Sequence, residues 1–529
     1  MRTKYLLLLS AGAMATLSLT GCGGNKAKSD EYTKDGKLKI SLRNLYFDDY
    51  QGGDSYLEEI EREFGVKLSF NAYSWAQWDQ QVSGQVNGGN LPDVFHANID
   101  SYNFALTYKF WAEENIIKPL PSDMSKWPNI QTMLENTSNI DALKINGKIY
   151  GLPIAKNTTD YTTTFSPFTY IYRRDWAKKY GVYQENDEYT WEQFEALLKE
   201  FKKQLPEGKY ALGDVEWGFP SLINFYKQVP HCFAYDEVEE KYVNNYTTDA
   251  YIAGLEEAKR FKKAGYYYSA QNEAADGAIN KMYYGNKIGV FYENLSYQNY
   301  NTLRKQLITS NYSVSGFNVD DATAIMKIKG TDGKYALEGT DNWFSMTFFD
   351  KKISDTKQEK ILDILDWLLS EEGTRFSVYG IEGYDYTRDD DGTIHLVEAY
   401  WPKGSDGQYA RKDNGGRYLR YLASLGYDTL SYDPLTDKTA INYLEGWETE
   451  MKTALAAGQL KVLKENAEVM WLTTPNKAQL SGGMRSTALK NVMKYIYDSG
   501  ITTISGFKGT FGYPWPEVLD EINRALGKI

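Results

Sequence analysis

The order of apolar and polar positions in the first part of the chain predicts a strand, a helix and a second strand. Leu38 to Leu42 is typical of a buried strand, and Val66 to Phe70 is typical of the next one. Between them, a helix is predicted to begin at Ser55, which forms a capping box with Glu58 three residues later. Gly65 is predicted to end that helix. This β-α-β order favours an open sheet with helices packed on it.

Further strands and turns extend the pattern. Leu91 to Phe95 predicts a third strand, and Lys287 to Phe291 predicts a buried strand much later in the chain. The pair Asn146-Gly147 predicts a hairpin turn, followed by a strand that ends at Pro153. The run Asp389 to Thr393 has a faint likeness to a calcium loop, but a hairpin turn of the Asp-Gly type is the preferred interpretation.

Two amphipathic helices are predicted to contribute core rather than site residues. Thr190 and Gln193 form a capping box, and the apolar positions that follow, up to Phe201, lie on one face of a helix. A second helix from about Asp355 to Glu372 repeats the apolar spacing and is predicted to end at Gly373. Both patterns indicate packing against a sheet.

Polar and aromatic residues follow the predicted strands. In open α/β sheets, ligands bind beyond the carboxyl ends of the strands, so these positions are candidate ligand contacts. Trp78, which also follows the second strand, fits equally well as a helix residue packed on the sheet. The candidates from this rule are Asn44, Tyr46, Trp75, Asn98, Asp100, Tyr292, Glu293 and Asn294.

The N-terminus has the features of a secretory signal. Positive charges at Arg2 and Lys4 precede a short apolar run, and Leu19-Thr20-Gly21-Cys22 resembles the bacterial lipobox. Residues 1–21 are therefore predicted to be a lipoprotein signal peptide and Cys22 the lipidated residue. Residues 22–36 are predicted to be a flexible linker. The signal peptide and the lipid on Cys22 together predict that the protein is anchored to the extracellular face of the bacterial cell membrane. The alternative is an ordinary signal peptide with an incidental cysteine.

Composition excludes several kinds of partner and site. The chain has 529 residues and a net charge of -12, which argues against nucleic acid as a partner because nucleic-acid binding needs a basic surface. Cys232 has no partner once Cys22 is acylated, so no disulfide framework is expected. The three histidines lack the spacing of zinc ligands, and neither a metal site nor a cofactor is expected.

The aromatic content points towards a carbohydrate ligand. Aromatic residues make up 15 % of the chain, with 44 Tyr and 13 Trp. These side chains offer a flat apolar face and a polar edge, which suits the C–H faces and hydroxyl rims of sugars. The alternative is that most of these rings fill the core or the surface, which holds for the majority of them individually.

No catalytic residue is predicted from sequence motifs. The sequence contains no G-x-S-x-G, P-loop, H-E-x-x-H or G-x-G-x-x-G motif. A secreted glycoside hydrolase remains an alternative, because 71 Asp and Glu residues can always supply a pair of carboxylates. A structural surface protein would predict repeats or Ser/Thr-rich stalks, and the sequence has neither.

Several stretches, in their order and spacing, resemble the solute-binding proteins of carbohydrate ABC importers, the maltose-binding-protein class and especially its large lipoprotein branch. Besides the lipobox, the stretches are Leu91–Phe95, Ile145–Pro153, Tyr170–Trp176, Thr190–Phe194, Tyr284–Val290 and Trp367–Gly373. The resemblance covers about residues 37 to 390. Some members of that branch carry an acidic calcium loop after the helix that matches Trp191 to Phe201. Here, residues 205–210 lack the alternating oxygen ligands, which makes a calcium site there doubtful.

The resemblance implies an α/β, two-lobed periplasmic-binding-protein-like clamshell with a hinge and an interlobe ligand cleft. Lobe 1 is expected over 37–155 and 335–400, and lobe 2 over 156–334 and 401–529. The chain is expected to cross between the lobes near Pro153 to Thr169, around Ala336 to Trp343, and near Tyr384 to Tyr400. These crossings add the candidate site residues Asp160, Tyr161, Trp343, Tyr384 and Asp385. For Trp343 the alternative is a ring that fills the core of a lobe.

The function implied is that of a binding protein, not an enzyme. A membrane-anchored monomer is expected to capture an extracellular oligosaccharide and deliver it to the permease subunits of an ABC transporter. Two alternatives stay open: a lipid-anchored hydrolase acting on glycans, and a binding protein for a non-sugar solute such as a peptide.

Overall fold

A computed structural model describes residues 31–47, 50–73, 77–97, 102–158, 168–214, 219–229, 232–269, 278–397, 401, 414–426, 437–464, 469, 471–472 and 485–529. The predicted signal peptide, the lipidation site Cys22 and most of the predicted linker lie outside these residues. Among the described residues, no helix is long and apolar enough to cross a membrane.

The strands are short and alternate with helices along most of the chain. In chain order they are β1 (Leu38–Asn44), β2 (Val66–Ala72), β3 (Val94–Ala97), β4 (Lys144–Ile145), β5 (Lys148–Ile149), β6 (Leu152–Ala155), β7 (Phe168–Arg173), β8 (Glu188–Tyr189), β9 (Tyr210–Asp214), β10 (Phe233–Asp236), β11 (Lys241–Asn244), β12 (Tyr267–Ser269), β13 (Ile288–Asn294), β14 (Thr323–Ile328), β15 (Tyr335–Glu338), β16 (Trp343–Phe349), β17 (Tyr386–Arg388), β18 (Ile394–Leu396) and β19 (Leu460–Leu463).

The helices cover the faces of the sheets that these strands form. They are α1 (Ser55–Glu63), α2 (Trp78–Gly88), α3 (Tyr102–Glu113), α4 (Pro128–Glu135), α5 (Arg174–Lys179), α6 (Trp191–Gln204), α7 (Phe219–Lys227), α8 (Asp249–Lys263), α9 (Ala278–Tyr284), α10 (Tyr297–Ser310), α11 (Val319–Ala322), α12 (Asp355–Leu369), α13 (Glu371–Tyr379), α14 (Gly415–Arg420), α15 (Lys438–Ala456), α16 (Arg485–Ile496), α17 (Ile504–Gly509) and α18 (Trp515–Ala525).

The first lobe is built on a five-stranded sheet in the order β2-β1-β3-β16-β6. β1 runs parallel to β2 and β3, whereas β16 runs antiparallel to β3 and β6. The amino end of β16 therefore lies at the same edge of the sheet as the carboxyl ends of the other four strands. One face packs on α1, α4, α12, α13 and α14, and the other packs on α2 and α3.

The second lobe is built on a six-stranded sheet in the order β12-β9-β13-β7-β14-β8. β7 is antiparallel to its neighbours β13 and β14, so Phe168 at its start pairs with Asn294 at the end of β13. The larger core on this sheet joins residues of α6, α7 and α8 with residues of the C-terminal helices α16, α17 and α18. The two-lobed α/β fold predicted from the sequence is confirmed.

Three segments cross between the lobes side by side. The Lys156 amide donates to the Asn342 carbonyl at 2.9 Å, which joins the first and second crossings. The Ala155 amide donates to the Ala423 carbonyl at 2.9 Å, and the Leu425 amide donates to the Ala155 carbonyl at 2.8 Å, which joins the third. The third crossing was expected near residues 384–400, but residues 386–396 of that stretch form the β17–β18 hairpin. The crossing lies at residues 424–426 instead.

Packing also differs from the expected lobe boundaries at two places. The apolar residues of 415–423 pack in the core of the first lobe beside α1 and α12, although residues from 401 onward were assigned to the second. β15 lies at the start of residues 335–400, which were expected to form the second segment of the first lobe. It pairs in parallel with β19 and packs with α15 on the second-lobe side. In both cases the location depends on contacts with residues more than a hundred positions away: residues 419–423 pack against α1, and β15 pairs with β19. The local sequence does not predict these contacts.

Several local predictions are confirmed. Thr190 and Gln193 form the predicted capping box at the start of α6. Asn146 and Gly147 have φ values of 51° and 75° and connect β4 to β5 as a hairpin. Asp389 and Thr393 close the turn between β17 and β18, which confirms the hairpin interpretation of that acidic run.

Three local predictions are wrong. Asp54, not Ser55, caps α1, because its carboxylate accepts the amides of Tyr56 and Leu57 at 3.0 Å each. α12 ends at Leu369, and Ser370 caps the new helix α13 that contains Gly373. A Cβ at Gly373 would lie 2.0 Å from the Trp367 carbonyl oxygen, so this glycine permits close packing instead of stopping a helix. Pro153 lies inside β6 rather than ending it.

Candidate functional site: the strand ends between the lobes

Asn44 ends β1 and holds the backbone that follows it. Its side chain is fully buried; Oδ1 accepts the Tyr46 amide at 2.8 Å, and Nδ2 donates to the Tyr421 carbonyl at 3.4 Å. These bonds turn the chain at the strand end and tie it to the segment before the third crossing. Asn44 is thus a buried residue that fixes the backbone at the first-lobe edge, whereas the side chain of Tyr46, two residues later, is partly exposed there.

Tyr46 is the centre of a group of half-buried rings at this edge. Its ring stacks on His96 with centroids 5.8 Å apart, lies 5.6 Å from Tyr421, and meets the edge of Phe344 at 6.5 Å. Tyr46, Phe344 and Tyr421 are each partly exposed. We name these three residues the aromatic edge. Rings that are buried on one side and open on the other can stack on the C–H face of a sugar.

Trp343 starts β16 and faces the core of the first lobe. Its side chain is only 6 % exposed and packs with Tyr73, Ala97 and Met346. The indole N–H donates to the Ser138 carbonyl at 2.9 Å, and the ring lies 6.1 Å from Trp471. Of the two interpretations that the sequence left open, the structure places the ring in the core.

The polar run before Trp343 is occupied by bonds within the protein. Asp341 Oδ1 accepts from Lys464 Nζ at 2.7 Å and from Ser138 Oγ and Asn139 Nδ2 at 2.8 Å each. Asn342 Oδ1 accepts the Ser138 amide at 2.9 Å. These side chains fix the second crossing segment.

Lys156 occupies the space between the first and second crossings. Its ammonium donates to Thr340 Oγ1 and, at 2.8 Å, to the Asp341 carbonyl. Burial lowers the pKa of Lys156 to about 8, with Asp341 opposing the shift and Lys464 adding to it. These two bonds join Lys156 on the first crossing to Thr340 and Asp341 on the second.

The second-lobe edge carries a phenol and a carboxyl group at the end of β13. Tyr292 is 2 % exposed and packs on Phe168, Tyr170 and Phe225 at 5.9, 5.2 and 6.0 Å between ring centroids. Burial, and then the charge of Glu338, raises the pKa of Tyr292 well above its ordinary value. The phenol therefore stays neutral and serves as a hydrogen-bonding group.

Glu293 is partly buried beside it. Burial raises the pKa of its carboxyl group, while the Asn294 amide, which donates to Oε1 at 2.7 Å, opposes the shift. In the described part of the chain, Glu293 takes part in no salt bridge. Asn294 Oδ1 accepts the Ser296 amide at 2.8 Å and so shapes the loop that follows. A partly desolvated carboxyl group without a cation partner suits a ligand that offers hydroxyl groups.

Two predicted residues lie elsewhere. Asp385 is fully buried and accepts the Ile381 amide at 2.8 Å; burial, and then the hydrogen bond to Asp385, raises the pKa of Tyr56 on α1. Tyr384 is 48 % exposed in the same loop. Both lie against α1 and the β17–β18 hairpin, because the expected third crossing is not there. Trp75, Asn98, Asp100, Asp160 and Tyr161 lie outside the described residues, in the stretches that follow β2, β3 and β6 in the sequence.

Sequence reasoning missed Phe344, Tyr421 and Lys156. Phe344 adjoins a predicted residue, but only the irregular start of β16 shows which of the two rings faces outward. Tyr421 lies in a segment with no strand signal. Lys156 follows β6 directly, and the strand-end rule could have found it. Among the residues that the structure describes, no group of His, Cys, Asp and Glu could hold a metal ion.

Comparison with known proteins agrees with the two-lobed fold. Residues 55–286 match the family model described as bacterial extracellular solute-binding protein. The polygalacturonan/rhamnogalacturonan-binding protein YtcQ of Bacillus subtilis (strain 168) is 21 % identical over 422 residues, which are 74 % of this chain and 75 % of that protein.

Solved structures share the fold over nearly the whole chain. An extracellular solute-binding protein from Bifidobacterium longum subsp. infantis superposes with a TM-score of 0.62 at 14 % identity, covering 94 % of this chain and 97 % of that one. The Streptococcus pneumoniae ABC-transporter substrate binding protein FusA in complex with kestose gives 0.61 at 14 % identity, covering 93 % and 97 %. The chain therefore shares its fold with these solute-binding proteins, and residues 55–286 carry the sequence match to the bacterial extracellular solute-binding protein family.

Proposed function

We propose that this protein binds an extracellular oligosaccharide between its lobes and delivers it to the permease of an ABC importer. The observation that carries the proposal is that the three crossings join two strand-end edges of different chemistry, one aromatic and one polar. The first-lobe edge carries the half-buried rings of Tyr46, Phe344 and Tyr421. The second-lobe edge carries Tyr292 and Glu293, which are desolvated hydrogen-bonding groups.

The two edges supply the two kinds of contact that a sugar needs. The apolar face of a pyranose or furanose ring stacks on an aromatic side chain, and its hydroxyl groups donate to carboxylates and amides. Closure of the lobes buries both contacts together, and burial makes each unmet hydroxyl costly. The sequence relative YtcQ is named for binding polygalacturonan and rhamnogalacturonan, and the structural neighbour FusA was solved in complex with kestose. Both support an oligosaccharide as the ligand class.

The bound sugar is released unchanged. Hydrolysis of a glycosidic bond needs two carboxyl groups that flank it, one as acid and one as base or nucleophile. At the strand ends of the described residues, Asp341 is bound by Lys464, Ser138 and Asn139, so this carboxylate is committed to bonds within the protein. The family match to binding proteins points in the same direction.

A lipid anchor at Cys22 holds the protein beside its permease. The first described residues pair with the start of β1: Tyr32 bridges to Leu38, and the Lys39 amide donates to the Glu31 carbonyl at 2.8 Å. The tether therefore joins the first lobe at the edge opposite the strand ends that face the cleft. The chain between Cys22 and Glu31 spans at most about 30 Å, which keeps a monomeric binder at high effective concentration at the membrane.

The experiment is a ligand screen on the mature chain carrying Cys22→Ala. The panel contains neutral fructo- and gluco-oligosaccharides, oligogalacturonides and short peptides. A ligand that binds only the folded protein stabilises it by about 2.7 kcal/mol at a hundredfold excess over Kd, so we expect one oligosaccharide class to raise the melting temperature.

Tyr46→Ala should weaken that response, whereas Tyr312→Ala should not, because Tyr312 is 87 % exposed at the end of α10. Stabilisation by peptides and by none of the sugars would reject the carbohydrate assignment. Sugar binding that Tyr46→Ala leaves unchanged would move the site away from the aromatic edge.

A further inference from the structure

The start of β16 is irregular at Ser345. Trp343 pairs with Ala155 and Met346 pairs with Pro153, so three steps along β16 match two steps along β6. Ser345 has a φ of 74°, in the left-handed region that side chains other than glycine rarely adopt. The extra residue is a β-bulge, a feature that re-aims side chains next to functional sites.

His96 on the neighbouring strand holds this bulge. Ser345 is 2 % exposed, and its Oγ is hydrogen-bonded to His96 Nε2 at 2.5 Å. Burial lowers the pKa of His96 to about 3, so the imidazole is neutral at physiological pH. Among the described residues, neither His96 Nδ1 nor Thr347 Oγ1, on the residue that pairs with His96, has a hydrogen-bond partner.

This arrangement is unfavourable as packing alone. It combines a strained serine, a buried imidazole with one nitrogen unsatisfied, and a buried hydroxyl without a partner. An apolar residue at position 96 would leave no unsatisfied nitrogen, and a glycine at 345 would adopt the positive φ without strain. Strained and under-satisfied groups that persist together are found at functional sites.

The bulge determines where the next ring points. Trp343 and Met346 both pack on the face that carries α2 and α3. Phe344 is thereby left half-buried, with its ring beside Tyr46, which itself stacks on His96. His96 therefore contacts both the residue that shapes the bulge and the central ring of the aromatic edge.

We propose that Phe344 is a ligand-stacking residue and that the His96–Ser345 hydrogen bond is the positioning device that presents it beside Tyr46. The group recognised is the apolar C–H face of one sugar unit. The proposal rests on the oligosaccharide function proposed above and assigns to it a ring and two supporting residues.

The test is a double-mutant cycle on the mature chain with Cys22→Ala, using the panel oligosaccharide that raises the melting temperature most. Phe344→Ala should weaken binding about fivefold, as the loss of one stacked ring does. Ser345→Gly keeps the positive φ without strain but removes the hydroxyl, so it should weaken binding by a similar factor. The double variant should bind no more weakly than Phe344→Ala alone, because both changes remove the same contact.

Two further measurements separate positioning from plain stability. The melting temperature of free Ser345→Gly should be unchanged or higher, whereas a merely structural role predicts a lower melting temperature and unchanged affinity. His96→Leu should weaken binding like Ser345→Gly, and His96→Gln should restore part of it, because the amide can bond to Ser345 Oγ. Tyr312→Ala serves as the control for ring removal far from the cleft.

The outcomes distinguish the two proposals. If no oligosaccharide binds, the proposed function fails, and this inference fails with it. If a sugar binds and Phe344→Ala leaves its affinity unchanged, the function stands and the stacking residue is wrong. If the effects of Phe344→Ala and Ser345→Gly on affinity are additive, the positioning role is wrong.

Discussion

Replacing Trp343 by Ala should destabilise the free protein far more than it weakens ligand binding. The side chain is 6 % exposed, packs with Tyr73, Ala97 and Met346, and donates to the Ser138 carbonyl at 2.9 Å. Truncating a buried tryptophan costs about 3 to 5 kcal/mol, because transfer free energy is lost and a cavity remains. Ser138 is partly exposed, so water can replace much of the lost hydrogen bond.

The measurement pairs denaturant unfolding of the free protein with calorimetric titration of the ligand. For a lobe of this size, a loss of about 3 to 5 kcal/mol lowers the melting temperature by roughly 10 °C. Trp343→Phe is the matched control, since it keeps a ring in the core and loses the indole donor, at about 1 kcal/mol. Affinity should stay within about twofold for both variants.

One result would refute this reasoning. If Trp343→Ala leaves the free energy of unfolding within about 1 kcal/mol of the wild type and weakens binding more than about fivefold, the ring belongs to the cleft. The core assignment, and the direction that the β16 bulge imposes, would then both be wrong.

Three further predictions concern the anchor, the chemistry and the crossings. Cys22→Ala should release the protein from membranes, and retention equal to wild type on fractionation would remove the lipoprotein assignment. The mature chain should release no product from a sugar that it binds; product formation abolished by Glu293→Gln would instead establish a hydrolase. Burial lowers the pKa of Lys156 to about 8. The unfolded chain therefore binds more protons between about pH 8 and 10.5, and stability should rise there with pH, by up to about 3 kcal/mol relative to Lys156→Met. Identical slopes for the two proteins would contradict this.

The parts of the fold that were predicted depend on neighbours in sequence. The capping box of Thr190 and Gln193, the Asn146-Gly147 turn and the strand of Lys287 to Phe291 each arise from a few consecutive residues. The first cap was misplaced by one residue because Asp54 and Ser55 are both good caps. The choice between them depends on the incoming loop, where Gly52 and Gly53 adopt φ values of 79° and 90°.

The parts that were missed depend on contacts across long stretches of chain. The third crossing is defined by amide bonds between Ala155 and residues 423–425, more than 260 positions away. The outward ring is Phe344 rather than Trp343 because β16 bulges at Ser345, which is hydrogen-bonded to His96, a residue 249 positions earlier. Tyr421 lies at this edge because its carbonyl accepts a hydrogen bond from the Asn44 side chain. No local pattern reports such pairings, so the strand-end rule found the edge but not all of its members.

The bonds around the second crossing restrict where a hinge motion can occur. Asp341 and Asn342 are bound to Ser138 and Asn139 of the first lobe, so this part of the segment moves with that lobe. Gly339 donates its amide to the Leu463 carbonyl at 2.8 Å and so moves with β19. Within this crossing, we therefore expect rotation of one lobe against the other to be absorbed at Thr340, the residue between them. Its hydroxyl accepts from Lys156 on the neighbouring crossing. The Asp341–Lys464 ion pair spans the same point, so closure either carries this pair along or breaks it. Lys156 and Lys464 thus link the geometry of the crossings to the separation of the two strand-end edges that we propose as the binding site.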